Sequence, residues 1–318
     1  MMPAVPDILA ARRRLGTQVD STPLRDSAWL SAAAGGRASL KLECVQRTGS
    51  FKIRGALNAL SRLPRGTHVV TASAGNHGRA VALAAETLGL RATVFTPRAA
   101  PRTKLEAIAR HGAVLRAEAV DYDDAEGAAK AFARERGAAF VSPYNDPDVI
   151  AGAGTLALEI VEALPRTATI VVPIGGGGLI SGIAIAAKAV SPGIRIVGVE
   201  VEASCAFAVS RRHGRITAIE PGPTLADGLG GNIDPGTITF GIVERLVDDI
   251  VTIDEDALAG GMRGLVREEH VIAEGAGAAA TAAVLAGKAR GDGLVAIVTG
   301  SNIDVEMLRR VLGGPGGP

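Results

Sequence analysis

Lys52 is the first residue whose type and setting could do chemistry. It stands between Phe51 and Ile53 in the segment Thr48–Ala56 (TGSFKIRGA), and the chain has six lysines among its 34 basic side chains. A lysine held beside apolar groups has its charged form disfavoured, so its amine becomes a better nucleophile and suits Schiff-base formation. Taken alone, the segment favours a structural lysine whose stem lies along a helix end.

A second polar segment, Ser73 to Gly78 (SAGNHG), directly follows the apolar run Val69–Ala72. A strand that enters a glycine-containing turn and then a helix directs backbone N–H groups to one point, where a carboxylate or phosphate can bind. Ser73 and Asn76 add side-chain donors. Ser and Asn also cap helices for structural reasons, and His77 could be a surface residue at a helix start.

A run of four glycines, 175–178, separates the apolar run Ile170–Ile174 from a helical stretch that begins near Leu179 and Ile180. Glycines leave no Cβ in the way of a phosphate, and successive N–H groups converge at the positive end of a helix. The spacing is neither that of a dinucleotide-binding loop nor that of a Walker A loop, which needs a lysine. A flexible turn would cost backbone entropy for no gain, so the run predicts phosphate binding.

The fourth segment, Val298 to Asn302 (VTGSN), ends the last apolar run of the chain. Polar residues at the carboxyl end of a strand point into the ligand crevice of an open α/β sheet. By itself the segment describes a capping turn equally well.

The elements that must position these segments alternate along the chain. Short β-branched runs predict strands, and Ala-rich stretches of helical period between them predict helices. The strands are expected at Val69–Ala72, Ala92–Thr96, Val114–Ala117, Ile170–Ile174, Ile194–Val199, Ile250–Ile253 and Leu294–Thr299, and the helices at Asn76–Leu88, Thr103–Arg110, Asp124–Arg136 and Ile150–Leu164. Repeated strand–helix units predict an α/β fold with mostly parallel sheets flanked by helices.

Composition excludes several classes of protein. A formal net charge of +1 and 3% aromatic residues argue against nucleic acid or an anionic membrane as a partner. Two distant cysteines, Cys44 and Cys205, predict neither a disulfide framework nor a zinc site and fit the cytoplasm. Ala168–Ala187 carries no charge, but its proline and glycines predict a strand, a loop and a helix instead of a membrane span. The glycine–proline tail, 313–318, is expected to be disordered.

Together, and in this order, the four segments resemble the fold-type II pyridoxal 5′-phosphate (PLP) enzymes, in particular the family of threonine/serine dehydratases and serine racemases. The resemblance runs from about Thr22 to Asp304. Three further segments carry it: Asp146–Gly152 (DPDVIAG), Thr224–Gly228 (TLADG) and Glu274–Gly277 (EGAG). The ordered set is far more specific than any one member.

The resemblance implies a role in cofactor binding for each segment. Lys52 would form the Schiff base with PLP, while Phe51 and Gly228 would lie on opposite faces of the cofactor ring. Asn76 would hydrogen-bond the ring hydroxyl, and Thr299 would face the ring nitrogen. Backbone N–H groups of one loop would hold the phosphate, namely those of Gly175, Gly176, Gly177, Gly178 and Leu179. A second loop would hold the carboxylate of a small amino-acid substrate: Ser73, Ala74, Gly75, Asn76 and His77.

The resemblance also implies a two-domain layout. Residues 68–146 would form a small inserted domain, and residues 1–67 together with 147–318 would form the large PLP-binding domain. Members of the family are commonly homodimers, so a homodimer is expected.

The reaction implied is the deaminating dehydration of L-threonine and/or L-serine to a 2-oxo acid and ammonia, with Lys52 as the general base. Racemases of the family carry a serine where this chain has Ala74, so racemisation should be poor. Glu200 matches the first ligand of their cation site, but the later acidic position is Ala206, so no metal site is expected. Serine racemase with side dehydratase activity, and a PLP-binding protein without turnover, remain as alternatives.

Overall fold

The computed structural model describes residues 2–313, which form ten strands and thirteen α-helices. The strands are β1 (Leu24–Asp26), β2 (Ala38–Leu42), β3 (His68–Ala72), β4 (Arg91–Pro97), β5 (Val114–Ala119), β6 (Ala139–Phe140), β7 (Thr169–Pro173), β8 (Arg195–Val201), β9 (Asp249–Ile253) and β10 (Leu294–Val298). The helices are α1 (Val5–Leu15), α2 (Ala28–Ala34), α3 (Lys52–Leu60), α4 (Asn76–Leu88), α5 (Arg102–Ala109), α6 (Tyr122–Arg136), α7 (Pro147–Ala163), α8 (Gly178–Val190), α9 (Ala206–His213), α10 (Ile238–Leu246), α11 (Glu255–Glu269), α12 (Gly275–Leu285) and α13 (Val305–Gly313).

The larger sheet has six strands in the order β1-β2-β10-β7-β8-β9. Only β1 runs antiparallel to its neighbour, and the other pairs are parallel. Helices α1, α7 and α8 pack on one face, while α2, α11 and α12 pack on the other. Because both faces are covered, the central strands β7 and β10 are buried along their whole length and almost entirely apolar.

The smaller sheet has four parallel strands in the order β5-β4-β3-β6, all drawn from residues 68–140. Helices α4 and α5 cover one face, and α6 covers the other. Helix α3, which begins with Lys52, shares a core with α4 and also packs against α7, so it joins the two layers. The division of the chain at residue 67 stays a prediction.

The α/β fold expected from the sequence is confirmed, and the predicted strands and helices are found within a few residues of their expected bounds. Helix α7 begins at Pro147 instead of Ile150, because the Asp146 side chain accepts the N–H groups of Asp148 and Val149 and Pro147 suits a first helical position. The sequence interpretation missed strands β1, β2 and β6. Strand β2 was not predicted because a charged lysine, Lys41, is unusual in a buried strand. In the structure an ion pair with Glu159 compensates the charge of Lys41.

Three of the predicted segments, residues 73–78, 175–178 and 299–302, lie at the carboxyl ends of β3, β7 and β10. An open α/β sheet binds its ligands at this edge. The uncharged stretch 168–187 forms β7, the glycine run and most of α8, as expected. Among residues 2–313, no helix has the length and apolar character needed to cross a membrane. The tail predicted to be disordered lies outside the described residues from residue 314 onward.

Candidate active site

Lys52 begins helix α3, and its side chain is partly buried. Its Nζ donates a hydrogen bond to the carbonyl oxygen of Pro143 at 3.1 Å and stands 5.2 Å from the centre of the Phe51 ring. Burial lowers the pKa of Lys52 to about 8, although the nearby carboxylate of Glu274 opposes that shift. About a tenth of the amine is therefore uncharged at pH 7, and this is the form that acts as a nucleophile or base.

Helix α3 is held in place by a buried ion-pair network two residues beyond Lys52. The guanidinium of Arg54 is 1% exposed and donates two hydrogen bonds of 2.8 Å to Glu43. A third bond of 2.6 Å reaches Glu159, which also accepts from Lys41 at 2.6 Å. Loss of one member would leave a buried charge unpaired, so the network fixes the start of α3 firmly.

The glycine run forms the turn between β7 and α8. Gly177 has a φ of 83° and caps α8 with no side-chain hydrogen bond, so the first N–H groups of the helix have no side-chain partner. A Cβ on Gly176 would overlap the ring of Tyr144, and one on Gly177 would lie 2.6 Å from Phe207. The loop must therefore be bare backbone at the positive end of a helix, and it fits a phosphate group.

Contacts run from this loop to the other residues expected around the cofactor. A Cβ on Gly175 would lie 3.0 Å from the carbonyl oxygen of Gly228, and one on Gly228 would lie 3.2 Å from the Cβ of Ala276. The Thr299 hydroxyl donates to the Ala276 carbonyl oxygen at 3.2 Å, and the Phe51 N–H donates to the Thr299 carbonyl oxygen at 3.0 Å. The structure thus brings Phe51, Gly175, Gly228 and Thr299 together.

Asn76 begins helix α4, and both ends of its side-chain amide have partners. Its Nδ2 donates to Glu274 at 2.5 Å, and its Oδ1 accepts from Asn302 at 2.6 Å. Burial raises the pKa of Glu274 to about 7. Glu274 lies in the matching segment Glu274–Gly277, but the sequence predicted no role for it. Its signal was that it is the one charged residue in the apolar stretch 271–286.

Tyr144 is a second residue to which the sequence interpretation gave no role. It follows Pro143, the acceptor for Lys52, and its ring lies against Gly176. Burial raises the pKa of its hydroxyl above the ordinary value, and the charge of the Asp234 carboxylate adds to that shift. The available signal was its rarity, since the chain has two tyrosines and this one sits between a proline and Asn145.

The loop expected to hold the substrate carboxylate lies at the end of β3. The Ser73 hydroxyl accepts the N–H of Gly75 at 3.1 Å, and Ala74 lies between them. His77 is 3% exposed, and its Nε2 donates to the carbonyl oxygen of Val141 at 3.2 Å. Burial, helped by the positive charge of Lys52, lowers the pKa of His77 to about 3, so the ring is neutral. The role of this loop stays a prediction.

Glu200, the residue that matches a racemase cation ligand, is engaged elsewhere. Its two carboxylate oxygens accept the N–H groups of Phe207 and Ala208 at 2.8 Å each, which caps the start of α9. Within residues 2–313 there is no group of three or more side chains of metal-ligating type.

Comparison with known proteins gives the family. The family model described as pyridoxal-phosphate dependent enzyme matches residues 16–300. The chain is 44% identical to an L-threonine ammonia-lyase of Thermotoga maritima, over 96% of this chain and 77% of that protein. Its fold matches a structure of maize serine racemase with a TM-score of 0.92, at 35% identity over 98% of this chain and 97% of that one. It also matches the structure of a T.th. threonine deaminase with a TM-score of 0.89, at 37% identity over 95% of this chain and 99% of that one.

The residues and the relatives agree on one cofactor. A bare glycine loop at a helix start suits a phosphate, and a partly buried lysine of lowered pKa suits an aldehyde. The chain therefore belongs to the family of pyridoxal-phosphate-dependent enzymes that includes threonine dehydratases and serine racemases, and its cofactor is pyridoxal phosphate.

Proposed function

We propose that the protein is a lyase that converts L-threonine and/or L-serine to a 2-oxo acid and ammonia by β-elimination. The observation that carries this proposal is the Lys52 amine, which is partly neutral near pH 7. It donates to the carbonyl oxygen of Pro143, and the ring of the next residue, Tyr144, lies against Gly176 of the glycine loop. The similarity to the L-threonine ammonia-lyase of Thermotoga maritima supports the substrate class. Bound PLP supplies an aldehyde that captures amines and a ring that withdraws electrons from them.

The residues of this chain then decide which reaction the bound amino acid undergoes. The backbone N–H groups of Gly175–Leu179 would hold the phosphate, and the side-chain N–H of Asn76 would donate to the ring hydroxyl. Thr299 would present a neutral hydroxyl to the ring nitrogen, and such a group does not strongly favour a protonated ring. Lys52 takes the proton from the substrate Cα at its Nζ, while the Pro143 carbonyl oxygen orients that atom. The loop Ser73–His77 holds the substrate carboxylate.

Serine racemase activity is the second candidate, and the TM-score of 0.92 to maize serine racemase favours it. Racemisation needs a proton delivered to the face of the substrate opposite Lys52. In this chain Ala74 occupies the position from which a serine would deliver that proton, and a methyl group transfers none. Elimination should therefore exceed racemisation.

A substrate panel tests the proposal. Purified enzyme loaded with PLP is incubated with L-threonine, L-serine and other hydroxyamino acids; the 2-oxo acid is measured as its hydrazone, and the residual amino acid is resolved by chiral chromatography. We expect 2-oxo acid and ammonia in equal amounts with little D-isomer. D-serine formed as fast as pyruvate would replace the dehydratase by the racemase, and PLP binding without any product would indicate a binding protein.

We further propose that residues 68–146 form a small domain that closes on the substrate and that the enzyme is a cytoplasmic homodimer. The four-stranded sheet drawn from residues 68–140 supports the first statement. The family resemblance supports the dimer, and the unpaired Cys44 and Cys205 support a reducing compartment. Light scattering coupled to size exclusion measures the mass in solution, and a value near the 32.3 kDa of one chain would contradict the dimer.

A further inference from the structure

Two side-chain amides lie in series between a guanidinium and a carboxylate at the edge of the candidate site. Arg79 donates from Nη1 to Oδ1 of Asn302 at 2.6 Å. Asn302 donates from Nδ2 to Oδ1 of Asn76 at 2.6 Å and to the backbone carbonyl oxygen of Thr48 at 2.8 Å. Asn76 in turn donates from Nδ2 to Oε1 of Glu274 at 2.5 Å.

The two ends of this chain of bonds decide the orientation of both amides. A guanidinium can only donate, so the atom of Asn302 that faces Arg79 must be its oxygen. The Thr48 carbonyl can only accept, which confirms that the nitrogen of Asn302 faces the other way. The atom of Asn76 that meets this nitrogen must then be Oδ1, and its Nδ2 must face Glu274. An ionised carboxylate accepts only, so it completes the sequence without conflict.

Neighbouring backbone holds the chain of bonds tightly. A Cβ on Gly300 would overlap Oε1 of Glu274 and would lie 3.2 Å from Nδ2 of Asn76. Gly49, at a φ of 71°, would place a Cβ only 2.6 Å from Oδ1 of Asn302. With both glycines in contact, the two amides have little room to rotate, so their orientation depends on their hydrogen-bond partners.

We propose that Glu274 is a positioning residue, which fixes the Asn76 amide so that its N–H, and not its carbonyl oxygen, is presented to the ring hydroxyl of PLP. Asn76 Nδ2 has two hydrogens; Glu274 accepts one, and the other has no hydrogen-bond acceptor within residues 2–313 and can be donated to the cofactor. The inference rests on the proposed role of Asn76 in cofactor binding. It adds a residue outside the cofactor contacts that the sequence predicted.

The protonation state of Glu274 bears on this role. Burial is the largest influence and raises its pKa to about 7. The charged or polar groups that act on it are Asn76, Asp227, Lys104 and Lys52, of which only Asp227 raises the pKa further. Protonation below this pH makes the carboxyl a weaker acceptor and supplies a competing O–H donor. The grip on Asn76 should therefore weaken as the pH falls through about 7.

A pair of matched substitutions at Glu274 isolates the acceptor. Glu274→Gln keeps the size and an acceptor oxygen, whereas Glu274→Leu keeps only a similar bulk. Each full-length variant is stripped of PLP, its thermal midpoint is measured, and the Kd for PLP is determined by fluorescence titration. Glu200→Gln, which alters a buried carboxylate that caps α9, serves as the control for loss of a buried charge.

We expect the Gln variant and the Glu200 control to bind PLP within about twofold of wild type, and the Leu variant to bind about tenfold more weakly, as for one lost hydrogen bond. Equal affinities for the Gln and Leu variants would overturn the proposal. Asn76→Ala distinguishes a failure of the proposed role of Asn76 from a failure of the proposed role of Glu274. If Asn76→Ala binds PLP normally, the proposed role of Asn76 fails; if it binds weakly while Glu274→Leu binds normally, only the role of Glu274 fails.

A second measurement uses the wild-type apoprotein and does not depend on the folding of any variant. The side-chain NH₂ signals of Asn76, assigned in an asparagine-labelled sample by comparison with Asn76→Ala, are followed between pH 5.5 and pH 8.5. We expect them to shift with a midpoint near 7, the pKa of Glu274, and to stay constant in Glu274→Gln. Signals that do not titrate in the wild type, or that titrate equally in the Gln variant, would overturn the proposal.

Discussion

Lys52 should titrate far below an ordinary lysine, and the size of the effect follows from its surroundings. Burial disfavours the ammonium form and sets the pKa to about 8, while the attraction of Glu274 limits the fall. At pH 7.5 about a quarter of Lys52 would be uncharged, against about 0.1% of a lysine at its usual value. The reactive amine is thus about two-hundredfold more abundant than at the surface.

Competitive labelling of the apoprotein measures this directly. A trace of an amine-reactive anhydride is added at a series of pH values from 6 to 11, and the extent of labelling of each lysine is read by peptide mass spectrometry. Lys288, which is exposed, provides the internal control in the same sample. We expect a half-maximal reactivity near pH 8 for Lys52.

The Glu274 carboxylate acts on the pKa of Lys52 in the direction opposite to burial. Because the Glu274 carboxylate raises the pKa of Lys52, its replacement in Glu274→Gln should move the Lys52 midpoint further down. A Lys52 midpoint that coincides with that of Lys288 would refute the desolvated setting of the amine. An upward shift in Glu274→Gln would refute the assigned interaction between the two groups.

Three further predictions concern the remaining parts of the site. Lys52→Ala should keep the fold, judged by circular dichroism, but lose about a thousandfold or more in turnover. Borohydride reduction of the wild-type holoenzyme should place the pyridoxyl group on Lys52. A different labelled lysine would contradict the assignment. Gly176→Asp should abolish PLP retention, because the new side chain would overlap Tyr144 and repel the phosphate. The control Gly127→Asp, at a helical glycine with open space around it, should retain PLP. Normal PLP content in the Gly176 variant would contradict the phosphate loop. Ala74→Ser should raise D-isomer formation relative to 2-oxo acid, though only slightly because the hydroxyl needs activation, and chiral chromatography that shows no change would leave position 74 without a role in the choice of reaction.

Much of the arrangement could be predicted because the determining signals are local. Glycines cannot be replaced where the backbone must approach a phosphate or an aromatic ring closely. The run 175–178 can therefore be recognised as a candidate phosphate-binding loop from the sequence alone. Parallel strands buried on both faces carry continuous apolar runs, which placed β3, β7 and β10 and therefore the polar segments after them. Strand β2 escaped detection because Lys41 breaks its apolar run, and the ion pair with Glu159, far along the chain, makes that lysine acceptable.

By itself, the sequence determined the α/β fold, the PLP family and which segments meet at the strand ends, because each depends on the types and order of residues along the chain. Only the tertiary structure decided how the side chains act on one another. The lowered pKa of Lys52 needs the burial produced by packing, and the orientation of Asn76 needs Asn302 and Glu274, more than 190 residues away. Desolvation and hydrogen-bond polarity depend on distances through space, which residue order does not specify.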